Sequence, residues 1–409
     1  MRIGSCRACG ATELVPIMSL GSLPLANALV EPDAAPDHDR RFPLDLVLCR
    51  SCALVQITET MQPERLFGHY LYFSSYSTTM LRHAEALAHA LVAERGLNGS
   101  SRVVELGSND GYLLQYFQRA GIDVLGVDPA VNVAAAAQRR GIPTLTEFFD
   151  SALAERLVAE RGPADVVLGL NVLAHVADPA DFVTGIRILL GREGIALIEA
   201  PDVRELVARR AFDTIYHEHL AYFSVTSLRN LLRRHGLEVV RVRRVPVHGG
   251  SLRISAAVVG SAVHVEPSVP EALAEEASWG VSGPEAYRSL VDGAAAVRHD
   301  LRDLIDGLRR HGGSVAGYGA AAKGTVLLNF CDLGTDRVAF VVDRNTAKHG
   351  RFVPGTRQLV MPADALADKR PDYLLVLAWN LLQEVMDQES GHRRRGGRFI
   401  LPVPEPKLL

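Results

Sequence analysis

Two stretches of the chain carry the same order of apolar and polar positions. In SRVVELGSNDGYLLQYFQRAGIDVLGVDPA (101–130), a short apolar run at 103–106 leads into a glycine turn. Residues 112–120 then place apolar side chains at helical spacing, and DVLGVD supplies a second apolar run. LRRHGGSVAGYGAAAKGTVLLNFCDLGTDRVAFVVDRN (308–345) repeats the pattern. Each predicts strand, turn, helix, strand, the opening of a doubly wound sheet. ADVVLGLNVLAHVADP (164–179) and REGIALIEAPD (192–202) add buried strands to the first unit, and DYLLVLAWN (372–380) adds one to the second. Between the units, 260–283 is rich in proline and acid and reads as a linker into an amphipathic helix over 285–310. ETMQPERLF (59–67) reads as an earlier linker. The predicted segments are 1–68, 69–260 and 261–409, with a cleft between two α/β domains: cofactor on one wall, substrate on the other.

The turns differ in chemistry. Gly107 and Gly111 permit close backbone approach, and Asp128 ends the second strand 21 residues after Gly107, where a carboxylate suits ribose hydroxyls. Glu105 precedes the first glycine, while Asn109 and Asp110 lie inside the loop. Two acids repel a pyrophosphate but suit a cationic sulfonium, which favours S-adenosylmethionine over NAD. Asn171 ends a later strand at the same crevice, and EFFD (147–150) falls where adenine is expected. In the second unit Gly317, Gly319 and Ala322 satisfy G-x-G-x-x-A, with Asp343 24 residues after Gly319. Read alone, that turn is a dinucleotide site, and Lys323 adds positive charge where phosphates would sit.

Of five cysteines, four form the pairs CRAC (Cys6, Cys9) and CRSC (Cys49, Cys52), with a spacer of 39 residues between them. Two such knuckles complete a Cys₄ shell around Zn²⁺ with no open position, so the metal is expected to be structural. Its loss is expected to loosen the module without touching the chemistry directly. Cys331 reads as a small buried hydrophobe. Across 409 residues, 48% apolar and 22% charged content is that of a globular protein, and a net charge of −3 argues against nucleic acid. With no signal-like start and no apolar run of about 18 residues, a cytoplasmic protein without membrane contact is expected. Monomer and dimer both stay open.

DTIYHEHLAYFS (213–224) packs two histidines, a glutamate and two tyrosines together, as an acid/base cluster, a metal site or a solvated loop would. The whole arrangement resembles the S-adenosylmethionine-dependent C-methyltransferases that act on nucleotide-linked 4-keto deoxysugars in antibiotic biosynthesis. YLYFSSYSTTM (70–80), NVLAH (171–175), FDTIYHEHLAYFS, VHGGSLR (247–253), GYGAAAKG and WN (379–380) carry the resemblance. It implies an α/β protein with an N-terminal zinc-knuckle module, a central Rossmann-like class I methyltransferase domain and a second, C-terminal Rossmann-like domain. It also implies that His219 removes a proton alpha to a ketone, with Glu218 beside it and Tyr216 as a phenol donor. His175 and Tyr70 complete that pocket. Tyr72, Lys323, Trp379 and Asn380 fall on the substrate side, where the C-terminal domain holds a nucleotide-sugar rather than NAD. His217 should face away. An O- or N-methyltransferase, or an NAD-dependent nucleotide-sugar oxidoreductase or epimerase, are the alternatives.

Overall fold

The computed structural model describes residues 1–34, 39–68, 70, 73–247 and 249–409. Strands β1 (Leu14–Pro24), β2 (Arg41–Cys49) and β3 (Val55–Ile57) form an antiparallel ladder. Each cysteine pair turns on a residue in left-handed backbone: the N–H of Gly10 (φ 73°) reaches the Cys6 carbonyl, and that of Ala53 (φ 60°) the Cys49 carbonyl. Alanine there costs about 1–2 kcal/mol, a strain that a metal-bound knuckle offsets.

The middle unit supplies β4 (Arg102–Leu106), β5 (Asp123–Val127), β6 (Thr144–Leu145), β7 (Ala164–Leu170), β8 (Leu190–Pro201), β9 (Ala221–Tyr222), β10 (Leu237–Val245) and β11 (Ser251–Val258). Seven of them order as β10-β11-β8-β7-β4-β5-β6, with β11 antiparallel to both neighbours. Alternate side chains of the buried strands serve two cores. Val103, Val124 and Leu168 pack with Leu87 and Phe117 on one face, and Val104, Leu125 and Val167 with Leu157 and Leu228 on the other. The ninth strand leaves this sheet and pairs with β3, as fourth strand of the zinc-module ladder.

The last third builds β12 (Val315–Tyr318), β13 (Val341–Asp343), β14 (Val360–Pro362), β15 (Tyr373–Val376), β16 (Arg398–Leu401) and β17 (Lys407–Leu408), ordered β14-β13-β12-β15-β16-β17. All pairs are parallel except β16 with β17. The amphipathic helix forms over Arg288–Arg310, burying Leu290, Ala294, Val297, Leu301 and Ile305 on one stripe.

Packing also crosses the boundaries of the three sequence segments. One hydrophobic cluster joins Leu44 and Leu46 of β2, Phe212 and Leu220 of the middle unit, the long helix and Val341 of β13. The expected linker is also not one: Ser268–Trp279 is helical and packs on the methyltransferase core. Its Glu276, unremarkable in sequence, accepts the backbone N–H groups of Val225 (2.7 Å) and Thr226 (2.8 Å). That carboxylate satisfies free donors at the start of the helix Val225–Arg234. Among the described residues no helix is long and apolar enough to cross a membrane.

Candidate active site

The four cysteine sulfurs lie within 4.8 Å of one another. Cys6 and Cys52 are 3.6 Å apart, as are Cys9 and Cys49. A tetrahedron with Zn–S bonds of about 2.3 Å has edges of about 3.8 Å, so this donor set fits zinc. Among the described residues it is the one group of three or more metal-ligating side chains close enough to share an ion. Cys331 is buried in another hydrophobic cluster, with its thiol pushed up to about 12 by burial.

At β4 and at β12 the strand order reverses, and both crevices open on one cleft of about 810 Å³. On the middle-domain wall Gly107, Asn109, Asp128 and Asn171 line it. Gly107 (φ 66°), Asn109 (φ 50°) and Gly111 (φ 74°) all hold left-handed backbone. A Cβ on Gly111 would meet Ile142 at 2.9 Å, so glycine there is a packing requirement too. Asp128 accepts the N–H groups of Asn109 (2.8 Å) and Ala130 (2.9 Å). The side-chain oxygen of Asn171 is buried and has no partner among the described residues. Glu147, Phe148 and Phe149 also line the cleft, the last packed edge-on to Phe182.

The two acids expected to face a sulfonium do not line the cleft. Asp110 is buried and pairs with Arg140 (3.0 Å) and the Ser75 hydroxyl. Glu105 is fully buried behind the turn, and burial together with Asp128 and Asp110 raises its carboxyl well above the usual range. Asp128 is the acid of this group that reaches the cleft.

Tyr70, His175, Tyr216 and His219 all line the cleft, and the last three meet there. The His219 Nδ1–H donates to the Thr214 carbonyl (3.0 Å), because a carbonyl only accepts. The Nε2 lone pair of neutral His219 is thereby left to the Tyr216 hydroxyl at 2.9 Å. Their rings lie 4.1 Å apart, and the His175 ring is 4.9 Å from that of His219. His175 donates from Nδ1 to the Glu218 carbonyl (2.7 Å), and burial drives its pKa down to about 4, which keeps it neutral. Tyr70 is pinned by paired backbone bonds to Asn132, at 2.9 and 2.7 Å.

Glu218 departs from the group. Its carboxylate is buried off the cleft, accepts from Asn27 Nδ2 (2.7 Å), and is pushed up to about 7 by burial. His217 faces away, donating to the Pro43 carbonyl at 3.1 Å. Asn27, which does line the cleft, escaped the sequence reading because it lies 191 residues from Glu218. Tyr72 lies outside the described residues.

On the opposite wall Lys323 donates to Asn380 Oδ1 (2.8 Å), 4.8 Å above the Trp379 ring. Trp379 itself is buried, and its indole N–H reaches Asp213 (2.7 Å), tying this wall to the 213–219 segment. Asp343 accepts from the N–H groups of Ala320 (2.8 Å) and Asn345 (2.7 Å), and from the Lys348 ammonium at 3.2 Å.

Residues 6–67 match a putative zinc binding domain, 80–242 a methyltransferase domain, and 246–404 the C-terminal domain of C-methyltransferases. C-methyltransferase NovU of Streptomyces niveus is 39% identical over 407 residues, covering 100% of this chain and 97% of that protein. A ubiquinone biosynthesis O-methyltransferase of Roseobacter denitrificans is 30% identical over 155 residues, 34% of this chain and 60% of its own. Among solved structures, magnesium protoporphyrin IX methyltransferase from Synechocystis with bound SAM covers 43% of this chain and 78% of its own, at 19% identity and a TM-score of 0.34.

Proposed function

Since the chain belongs to the S-adenosylmethionine-dependent C-methyltransferases with a structural zinc ion, we propose that its acceptor is a nucleotide-linked keto-deoxysugar, methylated alpha to the ketone after base-assisted enolisation. The observation that carries this reading is the 3.0 Å contact of His219 Nδ1 with the Thr214 carbonyl. Thr214 holds the proton on Nδ1, so Nε2 is a base at the cleft wall before any substrate arrives.

In this reading His219 Nε2 takes the proton from the carbon alpha to the ketone. For that, the Tyr216 O–H, which donates to Nε2 at 2.9 Å in the absence of substrate, turns to the ketone oxygen and frees the lone pair. There it stabilises the charge that develops on the enolate oxygen. His175 stays neutral beside them, and Tyr70 closes the pocket. Glu218 acts from behind, on the backbone that carries His219.

S-adenosylmethionine supplies the electrophilic methyl group. Asp128 would hold its ribose hydroxyls, Asn171 its polar groups, and the Gly107–Asn109–Gly111 turn its close backbone approach, with Glu105 and Asp110 shaping that turn. Lys323 and Asn380 would hold the substrate's phosphates from the opposite wall, with Trp379 under the lysine.

His219→Ala tests the proposal. Turnover is expected to fall by at least about 10²–10⁴-fold, while S-adenosylmethionine binding, followed by calorimetry, stays at the parental value. Parental turnover in that variant would remove His219 as the base and favour an O- or N-methyl transfer that needs no enolising base.

A further inference from the structure

We propose that the zinc-held sheet positions the catalytic segment, with Asn27 as its positioning residue, so that zinc occupancy is read at His219 and not at the cofactor turn. The inference rests on the reading of His219 as the base. Three independent contacts join the module to the segment 214–222. Asn27 Nδ2 donates to Glu218 Oε2 (2.7 Å), the Pro43 carbonyl accepts from His217 (3.1 Å), and the Ile57 N–H reaches the Leu220 carbonyl (3.1 Å). Beyond them β9 completes the ladder, Val55 opposite Tyr222 and Gln56 opposite Ala221. His219 is flanked by anchored residues on both sides.

The metal sits where it can govern that ladder. Cys49 is the last residue of β2, and Cys52 lies three residues before β3. Two strands that must both start or stop at one ion are held in register, and the partner strand of β9 is one of them. The Asn27 end is fixed separately: the carbonyl of its neighbour Ala26 accepts from Thr325 of the C-terminal domain (2.9 Å). The cofactor turn hangs from the seven-stranded sheet instead, through Gly107 N–H to the Val127 carbonyl (2.8 Å). Loss of the ion therefore reaches the base before it reaches the cofactor. This departs from the expectation that the zinc module leaves the chemistry alone.

The test uses the full-length protein. Asn27→Ala and Asn27→Leu both remove the amide donor, and leucine keeps the volume. In both, kcat is expected to fall about ten- to a hundredfold, the loss that a displaced catalytic group brings. Zinc content, the KM for S-adenosylmethionine and its calorimetric Kd are expected to stay parental. In parallel, a chelator removes zinc from the parent protein, and amide hydrogen exchange is followed by mass spectrometry. Protection of 216–222 is expected to drop while 103–111 keeps its own and S-adenosylmethionine still binds. Parental kcat in Asn27→Leu, or unchanged protection of 216–222 without zinc, overturns the proposal. Turnover that survives His219→Ala sinks the base reading instead, and the exchange measurement still decides this one.

Discussion

The two glycine turns are built alike and wired differently. In each, an aspartate at the end of the second strand accepts one N–H from the turn and one from two residues onward: Asn109 and Ala130 for Asp128, Ala320 and Asn345 for Asp343. The difference is one ammonium. Lys348 lies 3.2 Å from Asp343 and also donates to the Ala320 carbonyl, whereas among the described residues no cation pairs with Asp128. A carboxylate has about four acceptor sites, and those of Asp128 beyond its two backbone bonds remain for a ligand. At Asp343 a lysine takes part of that capacity and its charge. The same fold thus leaves one carboxylate with acceptor capacity at the cleft and hands part of the other's to a lysine, which weakens the NAD-dependent reading of the second turn.

The comparison breaks most visibly in affinity for S-adenosylmethionine. Asp128→Ala is expected to weaken it about ten- to a hundredfold, the worth of one charged hydrogen-bonding partner at about 1.5–3 kcal/mol. Asp343→Ala should leave it at the parental value. Calorimetry on both variants decides, and equal losses would mean that the two turns share one ligand. A smaller effect sharpens the substrate side. Lys323→Met removes a cation that Asn380 holds in the cleft, so binding of a nucleoside diphosphate should weaken about tenfold. S-adenosylmethionine binding should not change. A nucleoside diphosphate that binds Lys323→Met as it binds the parent would move the phosphate site elsewhere on this wall.

What sequence revealed here was local, and what it hid was long-range. The pattern at 101–130 and 308–345 announced two α/β units, and the C-x-x-C pairs announced a metal, because strand, turn and knuckle are decided within a few residues. The wiring was not visible. Lys348 is an ordinary loop lysine until the fold brings it to Asp343, and Asp110 reads as a cofactor ligand until Arg140 claims it. Glu276 reads as linker composition until it caps a helix some 50 residues away. Motif spacing locates the crevices, but which carboxylates in them stay free depends on partners that no window of sequence contains.

Glu218 is a third carboxyl on which that rule can be tried, and the effect should be the smallest. It has neither the lysine of Asp343 nor the open cleft of Asp128; Asn27 donates to it, and burial pushes it up to about 7 from an ordinary value of 4.5. Between those values the folded protein keeps a proton that the unfolded chain has already released. The stability this site contributes is therefore fully present below about pH 4.5 and is lost as pH rises through about 7. Glutamine cannot ionise, so Glu218→Gln should gain on the parent across that window and hold its lead above it. The lead should be about 1–3 kcal/mol. Asp213, raised to about 6 by burial, and His175, lowered to about 4, titrate nearby with opposite signs, but both are present in either protein and cancel in the difference. Urea unfolding at pH 5 and pH 8 measures it. If variant and parent lose stability in parallel, the Glu218 carboxylate is compensated by Asn27, and an amide suffices where the second turn places a cation.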